Sequence, residues 1–172
     1  MADVPPSPVK GRMVAVILLL AIALTVVLVI HWTKSGGEGA ADTVEAPAAD
    51  PQPLSVYLAR ADLARGEAVF QRCAPCHTIA PGGPASMGPN LYGVMGSGIA
   101  ARPGFAFSPA LRAHAGATWD WQNASSFLRG PRFFAPGTRM GFVGVGDPQD
   151  RADLMLYLNS QGGTLAPPAD AR

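Results

Sequence analysis

The sequence predicts an all-α protein in which a small helical head follows one long apolar helix and a flexible linker. Three observations point there. Met13 to Ile30 is an unbroken apolar run in which only Thr25 carries a hydroxyl. Farther on, Asp62, Asp120 and Asp147 each stand where a helix N-cap is wanted, with glycine- and proline-rich stretches between. No stretch alternates apolar and polar residues as a half-buried strand must. At 172 residues the chain has room for one small domain and its appendages.

Residues 1–12 read as an amino-terminal tail. Lys10 and Arg12 lead into the apolar run with no acidic residue between, so this end is expected in the cytoplasm. Residues 13–32 read as a transmembrane anchor: eighteen apolar residues of helix rise about 27 Å, near the thickness of a bilayer core. Trp32 and Lys34 then fall where an interfacial ring and a snorkelling amine belong. A cleaved signal peptide competes, with small residues at Gly39-Ala40-Ala41; its apolar region, however, ordinarily runs about 7–15 residues. Either reading exports the rest of the chain.

Residues 33–57 are mostly Gly, Ala, Pro, Asp and Glu and are expected to form a linker without secondary structure. The head spans 58–165, followed by a short tail over 166–172. Within it Asp62 caps a helix reaching Arg72, and a short helix covers Pro109–His114. Asp120 caps another to about Leu128, stopped by Gly130-Pro131. Asp147-Pro148 starts a last helix that runs to about Ser160 and ends before Gly162-Gly163. From Leu54 on there are ten arginines, no lysine and seven acidic residues, a balance of +3. That balance does not suggest nucleic-acid binding.

The two cysteines of the chain form Cys73-Ala74-Pro75-Cys76, followed at once by His77. C-x-x-C-H is the attachment signature of a c-type haem. Two thiols three positions apart can add to the two vinyl groups of one haem, and the adjacent histidine falls under the iron. A disulfide or thioredoxin-like pair has no need of the histidine and wants a βαβ context. A zinc site would need further ligands, and only His31 and His114 remain.

A second iron ligand is open on the residues alone among Met87, Met95, Met140, Met155 and His114. Met155 lies in a helical apolar pattern and suits packing, and His114 suits a solvated surface. Met140 sits in an irregular loop, Pro136-Gly137-Thr138-Arg139-Met140, where a methionine has no core to fill.

Along nearly its whole length the head resembles class I cytochromes c, the mitochondrial cytochrome c and bacterial cytochrome c2 group. The likeness rests on Gly66 to Cys73, Gly88-Pro89-Asn90-Leu91-Tyr92-Gly93, Arg102-Pro103-Gly104-Phe105, Trp119, Pro131, Pro136 to Gly144 and Arg151 to Leu158, in that order. With the anchor attached, the whole is similar to membrane-tethered cytochromes of the c-y type found in alphaproteobacteria. The resemblance implies a class I fold around one covalent haem c, with His77 and Met140 as iron ligands. It implies that Pro89 accepts a hydrogen bond from His77 and that Trp119 and Thr138 lie near the propionates or the Met140 loop. It also implies that Gly66 and Phe70 pack against Tyr157. Ser97, Phe107 and Phe127 depart from the family, removing donors near the propionates and the Met140 sulfur. That loss favours the ferric state, with Arg102 as a replacement partner.

Arg72, Arg132 and Arg139 flank these motifs, joined by Arg129 and Arg112. They read either as ordinary solvated arginines or as a basic rim steering acidic partners. The function expected is electron transfer rather than catalysis. The chain would shuttle electrons from a cytochrome bc-type complex to a terminal oxidase or photosynthetic reaction centre, at the periplasmic side of a bacterial inner membrane. A fixed haem subunit of a larger oxidoreductase and a haem-based sensor are the alternatives.

Overall fold

A computed structural model describes residues 8–35, with side chains from Leu18 to His31, and residues 46–166. Residues 1–7, 36–45 and 167–172, which hold most of the amino-terminal tail, part of the expected linker and nearly all of the carboxyl tail, lie outside the described residues. The chain divides into two compact units, residues 1–45 and 46–172.

The first unit contains helix α1, Pro8–Ser35. From Met13 onward no glycine or proline interrupts it. Its side chains from Leu18 to Ile30 are exposed around the whole circumference. Thr25 Oγ1 donates to the Ile22 carbonyl at 2.9 Å, so the hydroxyl is satisfied within the helix. Among the described residues no helix is long and apolar enough to cross a membrane. The described side chains cover about 21 Å of helix, against a hydrocarbon core of about 30 Å.

The second unit is built on helices α2 (Leu54–Leu58), α3 (Leu63–Phe70), α4 (Pro109–Arg112), α5 (Trp121–Arg129), α6 (Pro131–Phe134) and α7 (Pro148–Ser160). No strand occurs among the described residues. The caps are those the sequence offers: Asp62 accepts from Arg65 N, Asp120 from Asn123 N, and Asp147 from Gln149 N and Asp150 N. Ser108 caps α4 in the same way, with Pro109 at its first position.

α7 is the centre of the unit, packed by α3 above all and also by α2 and α5. Seven of its residues are buried, including Leu154, Met155 and Leu158. Gly66 permits the close approach of α3: a Cβ there would stand 2.1 Å from the Asp153 carbonyl oxygen. Phe70 and Tyr157 then meet with ring centroids 5.4 Å apart. The wholly buried Asp153 carboxylate closes the same seam, accepting from Arg65 Nε at 2.6 Å, Asp62 N at 2.9 Å and Gln149 Nε2 at 3.1 Å.

Two stretches differ from the sequence expectation. The linker expected over 33–57 does not extend without structure to residue 57. From Ala46 the chain belongs to the head, α2 forms within it, and Tyr57 and Leu58 are buried. Gly130-Pro131 ends α5 as expected but also begins α6, because the N–H that proline lacks would have no acceptor within the helix at its first position.

Candidate functional site

α3 ends at Phe70, and the chain winds on through tight turns: Cys73 N and Ala74 N donate to Phe70 O, and Cys76 N and His77 N donate to Cys73 O. His77 thus follows Cys73 by one turn, and Cys76 lies beside it. No disulfide joins the cysteines. Burial pushes the Cys73 thiol upward, opposed by the nearby Arg72 charge.

The histidine ring is fixed from two sides. Its Nδ1 lies 2.8 Å from the Pro89 carbonyl oxygen. A carbonyl only accepts, so Nδ1 carries the hydrogen and Nε2 keeps its lone pair. On the other side stands Gly88, where a Cβ would come within 2.2 Å of His77 Cε1. Burial lowers the imidazole pKa, and the Pro89 bond opposes that only in part. The neutral ring is the form that binds iron.

Met140 is half-buried in the loop after α6. Its N–H donates to Thr138 Oγ1 at 3.3 Å, and Thr138 N donates to Ala135 O. Arg139 donates to the Ala106 carbonyl, joining this loop to the stretch around Phe105–Phe107. Trp119 is buried, held through its backbone N–H to Ser97 O, and its ring lies against Phe127.

All seven residues the sequence singles out, Cys73, Cys76, His77, Pro89, Trp119, Thr138 and Met140, line one cavity of about 730 Å³. Its wall is chiefly apolar. The charged side chains on it are Arg72, Arg102 and Arg139, with no carboxylate among them. Such a space suits a flat apolar ligand that carries negative groups. An iron porphyrin with two propionates has that chemistry, and a histidine nitrogen and a methionine sulfur suit its iron. Among the described residues, no three His, Cys, Asp or Glu side chains gather to hold a bare metal ion.

The other candidates are placed as follows. Met155 is wholly buried in α7, as packing requires. Met95 is buried in the core with its edge on the cavity wall, and Met87 is on the wall but largely exposed. His114 is not the solvated histidine expected: it is half-buried and stacked on Phe134, centroids 4.4 Å apart, away from the cavity. Phe107 and Phe127 reach the cavity as apolar wall, and Ser97 turns its hydroxyl to Val94 O at 2.7 Å. Of the five rim arginines, only Arg72 and Arg139 border the cavity. Arg112, Arg129 and Arg132 do not, and Arg102 takes their place. Only the family likeness puts Arg102 beside the propionates, since nothing local in the sequence tells where a long side chain turns.

The chain matches a family model described as Cytochrome c over residues 63–162, more than half its length. A cytochrome c homolog from Bradyrhizobium diazoefficiens is 42% identical over 116 residues, covering 67% of this chain and 62% of that protein, less than two thirds of its length. Cytochrome c2 from Rhodomicrobium vannielii is 41% identical over 109 residues, covering 63% of this chain and 86% of its own. The solved structure of cytochrome cH from Methylobacterium extorquens superposes with a TM-score of 0.53 at 36% identity, covering 58% of this chain and 98% of that one.

Proposed function

This chain belongs to the cytochrome c family, whose members bind one covalent haem c and carry electrons rather than catalyse reactions, and we propose that it is a membrane-tethered carrier of the respiratory or photosynthetic chain. The observation that carries this reading is that one apolar cavity bears Cys73, Cys76, His77 and Met140 together with three arginines and no acid.

Bound haem supplies a one-electron iron couple. The protein's residues set how that couple works. Cys73 and Cys76 would hold the group by covalent bonds. His77, with its hydrogen committed to Pro89, would offer Nε2 to the iron, and Met140 would offer its sulfur; a His/Met pair raises the potential relative to two histidines. Arg72, Arg102 and Arg139 offer compensation to the propionates. The chiefly apolar wall would limit solvent access to the bound group and so the reorganisation on a change of charge.

Arg72 and Arg139 are exposed at the cavity border and suit an acidic partner face, as in steered encounters between redox proteins. A cytochrome bc-type complex as donor and a terminal oxidase or photosynthetic reaction centre as acceptor fit that role. Support for the tether comes from α1, whose side chains from Leu18 to Ile30 are apolar on every face but for the self-satisfied Thr25; a helix apolar all round is stable only inside protein or lipid. Lys10 and Arg12 set its amino end in the cytoplasm, which puts the head on the periplasmic side of a bacterial inner membrane.

Redox kinetics in membranes from cells lacking this chain test the proposal. The expected result is that one acceptor is no longer re-reduced by quinol-derived electrons and that the full chain restores the step. Unchanged kinetics toward every oxidase and reaction centre present would refute it.

A further inference from the structure

Arg151 is a charged side chain with no exposed surface, and it sits in α7 outside the cavity lining. Its Nη1 donates to the carbonyls of Val145 at 2.6 Å and Gly146 at 2.9 Å. Its Nη2 pairs with Asp50, 101 positions earlier, in the stretch the sequence reads as linker. Nε has no hydrogen-bond partner. One carboxylate therefore balances a guanidinium that water cannot reach, and a buried ion of this kind depends heavily on its partner.

The two carbonyls held by Arg151 are in the outgoing arm of the Met140 loop. That arm is also held by Arg72 Nη2 on the Gly144 carbonyl at 3.1 Å and by Val145 N on Leu128 O at 2.8 Å. We propose that Asp50 is a positioning residue for the Met140 ligand. It acts through Arg151, whose guanidinium holds Val145 and Gly146 and so sets the seat of the sulfur five to six residues before them. Residues 46–53 are then a strap that couples the entry of the chain into the head to the strength of the sulfur–iron bond. This inference rests on Met140 being the ligand.

Removing the Asp50 charge leaves Arg151 buried without compensation. The guanidinium then seeks water or another acceptor, and the 144–146 arm loses one of its holds. The sulfur remains the ligand but yields more readily to a competitor. Coupling of this kind between two sites amounts to several-fold in affinity.

The test uses ferric full-length holoprotein in detergent, titrated with imidazole, with the sulfur–iron charge-transfer band as readout. Asp50→Asn, which keeps shape and an acceptor, is expected to raise imidazole affinity about fivefold or more. Asp50→Glu, which keeps the charge, is expected to restore most of the wild-type value. A change under about twofold for Asp50→Asn overturns the proposal. Arg65→Gln controls for general loosening, because Arg65 bonds Asp153 and the Arg60 carbonyl and has no contact with the Met140 loop. If it moves imidazole affinity as far as Asp50→Asn does, the effect is global and the proposal fails. Met140→Ala separates the two ideas. If the band survives in it, the ligand reading falls and the strap falls with it. If the band is lost there while Asp50→Asn matches wild type, only the strap falls.

Discussion

Gly66→Ala is the sharpest test of how the head holds its site, because a single methyl group must enter the α3–α7 seam. The added Cβ would lie 2.1 Å from the Asp153 carbonyl oxygen, 2.7 Å from its carbon and 2.8 Å from Tyr157 Cβ. Ordinary carbon contacts are about 3.5 Å, so the helices must part by about 1.4 Å. Two of the three obstructing atoms are backbone and cannot rotate away. Overpacking of this kind costs about 3 kcal/mol, and replacing glycine within a helix returns about 0.5–1 kcal/mol. The net loss of about 2 kcal/mol corresponds to a fall in Tm of about 7–9 °C for a head of this size. Parting the helices also disturbs the Phe70–Tyr157 contact, three residues from Cys73. The assay is thermal unfolding of the holoprotein by circular dichroism, with haem content measured alongside. A Tm within about 3 °C of wild type would refute the close-packing argument.

The remaining predictions concern charge. Tyr157 is raised above its ordinary value of 10.0, first by burial and then by Glu67. The unfolded chain therefore releases this proton before the folded one, and the stability the neutral ring contributes is complete below pH 10.0 and falls above it. Urea titrations from pH 9 to 11, a window around that value, should show a shallower decline in Tyr157→Phe than in wild type. Arg102→Gln removes a cation from the cavity wall, favours the ferric state and should lower the reduction potential by some tens of millivolts; an unchanged or raised potential in equilibrium titration counts against the arginine's role toward the propionates. Gly88→Ala sets a methyl against the His77 ring and should cut the yield of holoprotein sharply, read as haem absorbance per polypeptide, while a normal yield would show that the ring has room to move.

What was legible in the sequence was local. Asp62, Asp120 and Asp147 each reveal a helix start because an N-cap bonds a backbone donor two or three residues ahead. The C-x-x-C-H run likewise states its chemistry within five positions. α2 leaves no local signature because it is five residues long and its cap, Pro53, contributes no side-chain bond. Its stability comes from burying Tyr57 and Leu58 against α7, which no local pattern discloses. α6 was hidden behind a Gly-Pro that stops one helix and starts the next. The pairing of Asp50 with Arg151 spans 101 positions, and neither residue stands in a pattern that names the other. The cavity's charge asymmetry was equally out of reach, since it depends on which of ten arginines turn inward.

The most direct test of the central claim is the electronic spectrum and potential of Met140→Ala beside wild type, both as ferric holoprotein with haem content matched. If His77 and Met140 are the iron's ligands, wild type should show a sulfur–iron charge-transfer band, and the variant should lose it and fall in potential. A band and potential unchanged by the substitution would contradict the account of the site.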